Sequence, residues 1–423
     1  MTTTNFPTRI ETLAGQPIPQ LAEKFGTPLY VYDAATIEAR IREFAAFDVV
    51  RFAQKACSNL AILDLMRKAG VLVDAVSAGE IRRALAVGYQ PGRGEHPEIV
   101  YTADLFDRES LDLVVENNLP VNCGSPEMID QLGERMPGCG ITLRINPGFG
   151  HGHSQKTNTG GSGSKHGIWH TQIADCVKRG AKYGITVTGL HMHIGSGTDM
   201  QHLSQVCQAM EKTAMEVGPT LRSISAGGGL SVPYREGEQR VDVAAYFELW
   251  DATRQKLAIA LGTPLTLEIE PGRYLVAESG NLLTEIRAVK QMGENLYYLV
   301  DAGFNNLARP ILYGSYHPMA ICQQNHKSEV LLDVVVGGPL CESGDIFTQE
   351  EGGFVSTRQL PEAKVGDLLI IGCAGAYGAV MGSNYNSKPL AAEILVKDSD
   401  VHLIRARQTF EDLIRGENIP AGK

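Results

Sequence analysis

Eight times between residues 49 and 273 a short β-type run is followed by a stretch with helical spacing, and this repeat restricts the chain to very few folds. The runs are 49–56, 71–77, 99–103, 119–125, 141–147, 185–195, 221–229 and 266–273. Between them lie segments such as 58–69, where Ser58 is placed to cap a helix and Leu60, Leu63 and Met66 share one face. The segment 107–117 behaves alike. Eight such units within roughly 250 residues fit a closed (β/α)₈ TIM barrel. An open dinucleotide-binding sheet would carry fewer strands and a glycine fingerprint after the first.

Beyond about residue 280 the helical rhythm fades, and β-type runs at 296–300, 330–336, 367–371 and 392–396 alternate with Gly, Pro and Asn turns. The expected α/β organisation is therefore a barrel over 33–280 and a C-terminal all-β domain, 281–423, that also takes in residues 1–32. Two domains suit a chain of 423 residues, since single cores rarely grow that large. The Gly-rich stretch 148–167 follows the fifth run and reads as a mobile loop at the barrel mouth, with His151 and His153 solvated rather than metal-bound.

Composition excludes several classes of function. A formal net charge of -10 opposes binding to nucleic acid or anionic lipid. The start has no basic region followed by an apolar core, and no later run could span a bilayer, so a cytoplasmic protein is expected. The eight cysteines are scattered without a Cys-x-x-Cys pair, which reads as reduced thiols and no metal.

Active sites of such barrels lie at the C-terminal strand ends. The first run ends on Lys55, where partial desolvation would favour imine formation with an aldehyde. An exposed terminal lysine is the plainer alternative. The seventh run ends in Ala226-Gly-Gly-Gly229 and the eighth in Glu270-Pro-Gly-Arg273, the two loops where barrels commonly hold phosphate. The sixth contributes His191 and His193, two residues apart and on one strand face, so that one imidazole can face a ligand ring.

Lys55 in Ala-Gln-Lys-Ala-Cys-Ser-Asn, His193 in His-Ile-Gly-Ser-Gly, the glycine triplet and Glu270-Pro-Gly-Arg273 resemble the pyridoxal-phosphate-dependent decarboxylases of the alanine-racemase fold. Within that group the chain is most similar to the diaminopimelate decarboxylase family, through Asp301-Ala-Gly-Phe-Asn, Arg309-Pro-Ile-Leu-Tyr313, Cys341-Glu-Ser-Gly-Asp345, Gly375-Ala-Tyr-Gly378 and Ser383-Asn-Tyr-Asn-Ser-Lys-Pro389. The likeness spans nearly the whole chain. It implies decarboxylation of meso-2,6-diaminopimelate to L-lysine, with pyridoxal 5'-phosphate as cofactor. Lys55 would hold the cofactor aldehyde, His193 would stack on the pyridine ring, and Glu270 would face the ring nitrogen. Ser196, Gly228, Gly229, Gly272 and Arg273 would surround the phosphate or the nearby substrate carboxylate, while Asp74, Ser77 and Arg144 support the ring.

The same resemblance implies that Arg309 and Tyr313 bind substrate and that Tyr377 touches both cofactor and substrate. Cys341, the expected proton donor, and Glu342, the reader of the distal ammonium group, would come from the partner subunit of a homodimer. Two departures stand out: Asn306 where the family commonly has Asp, and Cys373-Ala374 where it has a more polar pair. Related decarboxylases acting on ornithine, arginine or carboxynorspermidine remain the alternative, followed by a catalytically silent pyridoxal-binding relative and a Schiff-base aldolase using Lys55 without the cofactor.

Overall fold

The computed structural model describes residues 6–150, 160–193 and 200–420. The chain forms two compact units, one of Glu38–Val232 with Arg240–Leu275, the other of the described parts of Met1–Ile37, Pro233–Gln239 and Val276–Lys423.

Among the described residues, eight parallel strands form the barrel wall of the first unit: β1 (Val49–Ala53), β2 (Leu72–Ala75), β3 (Ile99–Ala103), β4 (Val121–Cys123), β5 (Gly140–Asn146), β6 (Thr186–His191), β7 (Ser223–Ser225) and β8 (Thr266–Ile269). Each pairs with the next in chain order, and β8 returns to β1 through Glu268 opposite Val49, so the sheet closes. The closed barrel expected from the repeat is what forms. Six of its eight strands are shorter than the sequence runs because the last residues of those runs turn out of the ladder at the rim; after Ala53, for example, Gln54–Ala56 make one 3₁₀ turn. Inside the wall, fully buried Arg51 is held by Glu268, 2.8 Å away, and by the Pro97 carbonyl at 2.5 Å. Such a buried cation persists because it is paired.

Several of the outer helices begin at side-chain caps. Asp107 caps Arg108–Glu116, Ser77 caps Ala78–Ala86, and Asp242 caps Val243–Leu261. For the helix after β1 the expectation needs correcting. The cap is Asn59, whose Oδ1 accepts the Ala61 N–H at 3.0 Å, and the helix runs Leu60–Lys68. Leu63 and Met66 are buried as expected, but Leu60 is 44% exposed, and Ile62 and Leu65 complete the inner face. Moving the cap by one residue puts Leu60 at the first helical position, where it points away from the core.

In the second unit, strand Leu29–Asp33 occupies the middle of a mixed sheet. It pairs antiparallel with Gly280–Met292 and parallel with Ala392–Lys397, which ties the N-terminal segment into the C-terminal sheet. Asn295–Val300, Leu331–Gly337 and Arg358–Pro361 extend the sheet beyond Gly280–Met292, and Asp400–Arg405 closes the opposite side. Ile18, Leu29, Val31, Leu283, Ile370 and Ile394 share its core, each side chain contributing about 1.5–3 kcal/mol by leaving water. The segment Pro233–Gln239, which leaves the barrel shortly after β7, belongs to this second unit.

Candidate active site

The residues at the C-terminal ends of the barrel strands form one charged cluster. Glu270, just beyond β8, is 7% exposed. Its Oε2 accepts from His191 Nε2 at 2.8 Å and its Oε1 from the Ser225 hydroxyl at 3.2 Å. Burial raises its pKa, but the charge and hydrogen bond of His191, with the charges of Arg51 and Arg144, outweigh burial and carry it down to about 2. Asp74, at the end of β2, is the opposite case. Burial and the neighbouring Glu270 charge push it up to about 8, against the charge of Lys55. Two buried carboxylates do not readily share a low-dielectric space as anions, so the one with two donors keeps the charge.

His193 lies beyond β6, with its ring parallel to that of His191 at 6.4 Å and 3°. Its Nδ1 accepts the Gly228 backbone N–H at 2.8 Å. Nδ1 is therefore unprotonated, and burial, followed by the charges of Lys55, Arg144 and His191, holds the ring neutral well below the usual imidazole range. This lock needs glycine. Gly227 has φ +63°, and a Cβ there would sit 2.5 Å from the Met192 carbonyl oxygen; one on Gly228 would sit 2.5 Å from that of Glu270. Gly229 is also left-handed, at φ +98°. The third group of this turn pair, Arg273, opens the short helix Arg273–Val276 directly after Gly272.

Lys55 stands on the 3₁₀ turn after β1 and is exposed, so the expectation of desolvation gives way to an accessible amine at the rim. Its charge is nonetheless felt by Asp74 and His193. Arg144, on β5, is buried, and its charge acts on both Glu270 and His193. Ser77 serves the helix behind it, since its Oγ accepts the Glu80 N–H at 3.2 Å. Ser196, His151 and His153 lie outside the described residues. At the described ends of the 148–167 stretch, Asn146 accepts the Gly148 and Gly161 N–H groups, and Asp104 takes His166 Nδ1 at 2.5 Å and the Gly167 N–H at 2.9 Å. Sequence reasoning left open which of His191 and His193 would face a ligand ring and did not foresee the contact of His191 with Glu270; Ser225 was given no role, although it is a polar residue at a strand end, and that position was the available signal.

In the second unit, Arg309 is 6% exposed at the start of the helix Arg309–Tyr313, and Tyr313 is half-buried. Tyr377 adopts φ +57° and Cys373 φ +52° on the loop after Leu368–Ile371. Cys341 and Glu342 are exposed on a turn anchored where the Cys341 N–H donates to Asn386 Oδ1 at 2.8 Å. Asn306, at the position where the family commonly has Asp, accepts the Gly303 N–H through its side chain, and its carbonyl accepts from the Tyr30 hydroxyl at 2.6 Å.

Comparison with known proteins decides the family. Residues 34–277 match the model for the pyridoxal-binding domain of pyridoxal-dependent decarboxylases. Diaminopimelate decarboxylase of Escherichia coli K12 is 54% identical over 406 residues, covering 95% of this chain and 96% of that one. The chain belongs to the diaminopimelate decarboxylase family. A crystal structure of a diaminopimelate decarboxylase superposes with a TM-score of 0.90 at 55% identity, covering 94% of each chain. The Helicobacter pylori enzyme complexed with L-lysine gives 0.84 at 30% identity, covering 94% of this chain and 98% of that one.

Members of this family are pyridoxal-phosphate-dependent carboxy-lyases, and the barrel rim fits that cofactor. Asp74 Oδ1 and His191 Nδ1 are buried and lack a hydrogen-bond partner. A carboxylate cluster with unused acceptor capacity suits a protonated ring nitrogen, a neutral imidazole face suits an aromatic ring, and the left-handed glycine turn suits a phosphate.

Proposed function

We propose that this chain decarboxylates meso-2,6-diaminopimelate to L-lysine and carbon dioxide as a cytoplasmic homodimer. Supporting the cytoplasmic reading, no helix among the described residues is long and apolar enough to cross a membrane. The observation that carries the chemistry is the buried, doubly hydrogen-bonded and ionised Glu270. When bound, pyridoxal phosphate supplies an electron sink for the pair left behind as carbon dioxide departs.

The chain's own residues prepare and finish that step. Lys55 binds the cofactor aldehyde from the rim. Glu270, kept anionic by His191 and Ser225, holds a proton on the ring nitrogen and so sustains the sink. His193, fixed and neutral, offers its face to the ring without adding positive charge beside it. Gly228, Gly229, Gly272 and Arg273, with Ser196, bind the phosphate, while Asp74, Ser77 and Arg144 support the ring. Arg309 and Tyr313 bind a substrate carboxylate, Arg309 through a guanidinium fork that matches it. Tyr377 orients the reacting end. Cys341 returns a proton to the carbon that has lost its carboxylate, and Glu342 reads the distal ammonium group. In this reading both come from the partner subunit, which their exposure on a turn allows.

The test is to offer purified protein with pyridoxal phosphate four substrates in parallel: diaminopimelate, ornithine, arginine and carboxynorspermidine. Carbon dioxide and the amino-acid product are measured. Lysine from diaminopimelate alone is the expected result, and preferential turnover of another substrate would overturn the specificity assigned to Arg309 and Glu342.

A further inference from the structure

The guanidinium of Arg309 sits in a socket made by two residues that have so far had no role. Nη1 donates to the Tyr234 hydroxyl at 3.2 Å and to His317 Nε2 at 3.0 Å, and the group lies over the Tyr234 ring, 5.1 Å from its centroid. The Tyr234 and His317 rings meet edge to face at 5.6 Å and 81°. His317 is fully buried, and its Nδ1 lies 2.9 Å from the Gly372 carbonyl oxygen. A carbonyl only accepts, so Nδ1 bears the proton; arginine only donates, so Nε2 presents its lone pair. The imidazole is thereby held neutral in one tautomer.

Both walls of the socket are themselves fixed. Glu238 Oε2 accepts the Tyr234 N–H at 2.7 Å, and Cys373 Sγ approaches the Pro233 carbonyl at 3.9 Å. Arg235 and Arg358 stack on Tyr316, beside His317, at 4.3 and 4.0 Å. Gly372, the acceptor for His317, precedes the loop that runs through Cys373 to Tyr377.

From this geometry we infer that His317 is a positioning residue for substrate binding, which with Tyr234 fixes the plane of the Arg309 guanidinium and links it to the backbone of the Tyr377 loop. The inference rests on the reading of Arg309 as the ligand of a substrate carboxylate. Bidentate binding demands a defined fork plane, and an arginine side chain otherwise loses about 2 kcal/mol of rotamer freedom on ordering. A socket that orders it in advance lowers KM for the substrate without entering the bond-breaking step.

The test measures KM, kcat and the visible cofactor absorbance of holoenzyme variants with diaminopimelate. His317→Leu should raise KM by about tenfold or more, with kcat within about threefold of the parent and absorbance unchanged. His317→Gln, which can still present an acceptor to Nη1, should recover most of that loss. Tyr234→Phe keeps the ring and should raise KM less. In an Arg309→Gln background, His317→Leu should add nothing, because the two act through one group. Additive effects, or equal losses in the Leu and Gln variants, would overturn the inference. A raised KM in Arg309→Gln with a parental KM in His317→Leu would overturn it alone, whereas a parental KM in Arg309→Gln would remove the carboxylate reading and the inference together. Should His317→Leu not fold, Tyr234→Phe and His317→Gln decide, and a parental KM in Tyr234→Phe would count against the socket.

Discussion

The barrel rim and the loops of the second unit solve the placement of functional groups in different ways. At the rim the groups stand at or just after the ends of strands, and several are interlocked: Glu270 with His191 and Ser225, His193 with Gly228. In the second unit the candidates lie on one short helix, Arg309–Tyr313, and on loops and turns, and range from buried Arg309 to exposed Cys341 and Glu342. Two of the loop residues, Cys373 and Tyr377, stand in left-handed backbone that non-glycine residues seldom adopt. Strand ends suit chemistry that is the same for every substrate, and groups outside the barrel, free to vary without disturbing it, suit the reading of one particular substrate.

Substitutions that remove a rim group should therefore damage catalysis itself. Lys55→Ala should abolish the visible cofactor absorbance and lower kcat on the order of 10⁴-fold. A parental spectrum would break the assignment of the rim. Glu270→Gln keeps the shape but not the charge, and a loss of about 10²–10³ in kcat is expected, with the cofactor still bound. Glu342→Gln, on the other side of the comparison, should lower kcat/KM for diaminopimelate by about a hundredfold while cofactor affinity stays parental. Equal loss of cofactor binding and turnover would blur the division between rim and loops.

Asp74 tests what the rim costs the fold. Its carboxyl is raised from 3.8 to about 8, chiefly by burial, so the folded state binds a proton that the unfolded state releases. That imbalance destabilises the protein progressively as pH rises from about 4 and levels off above about 8. In the cofactor-free protein, Asp74→Asn should raise stability by about 2 kcal/mol at pH 8, with a gain that shrinks toward pH 5. Denaturant unfolding at several pH values measures it. A gain independent of pH would mean that the carboxyl is already ionised in the folded chain.

The sequence makes the barrel legible because a repeat read eight times averages out local error, and because strand ends are fixed positions in such a fold. Lys55, His193 and Glu270 follow from that rule. The second unit is less legible. Gly280–Met292 runs from a buried half into an exposed one, so neither a continuous apolar run nor a clean alternation marks it. Nor does local spacing place Tyr234 beside Arg309, 75 residues away, or His317 across from Gly372, 55 residues away. Long-range pairings of this kind leave no periodic trace.

The helix behind Lys55 gives the smallest effect and the sharpest test of register. Ser58 and Asn59 are both good caps by residue type, and spacing alone does not choose between them. In the fold Asn59 is nearly buried and its Oδ1 accepts the Ala61 N–H, while the Ser58 carbonyl accepts from Arg83 at 2.7 Å. That tie uses backbone, so Ser58→Ala should leave it intact and change stability by less than about 0.5 kcal/mol. Asn59→Ala removes the side-chain acceptor at that helix start and should lose about 1 kcal/mol. Because Lys55 is covalently four residues upstream, Asn59→Ala also asks whether the rim is as rigid as its interlocks suggest. If kcat per folded molecule stays parental while stability falls, the turn bearing Lys55 is held by the barrel wall rather than by the helix that follows it.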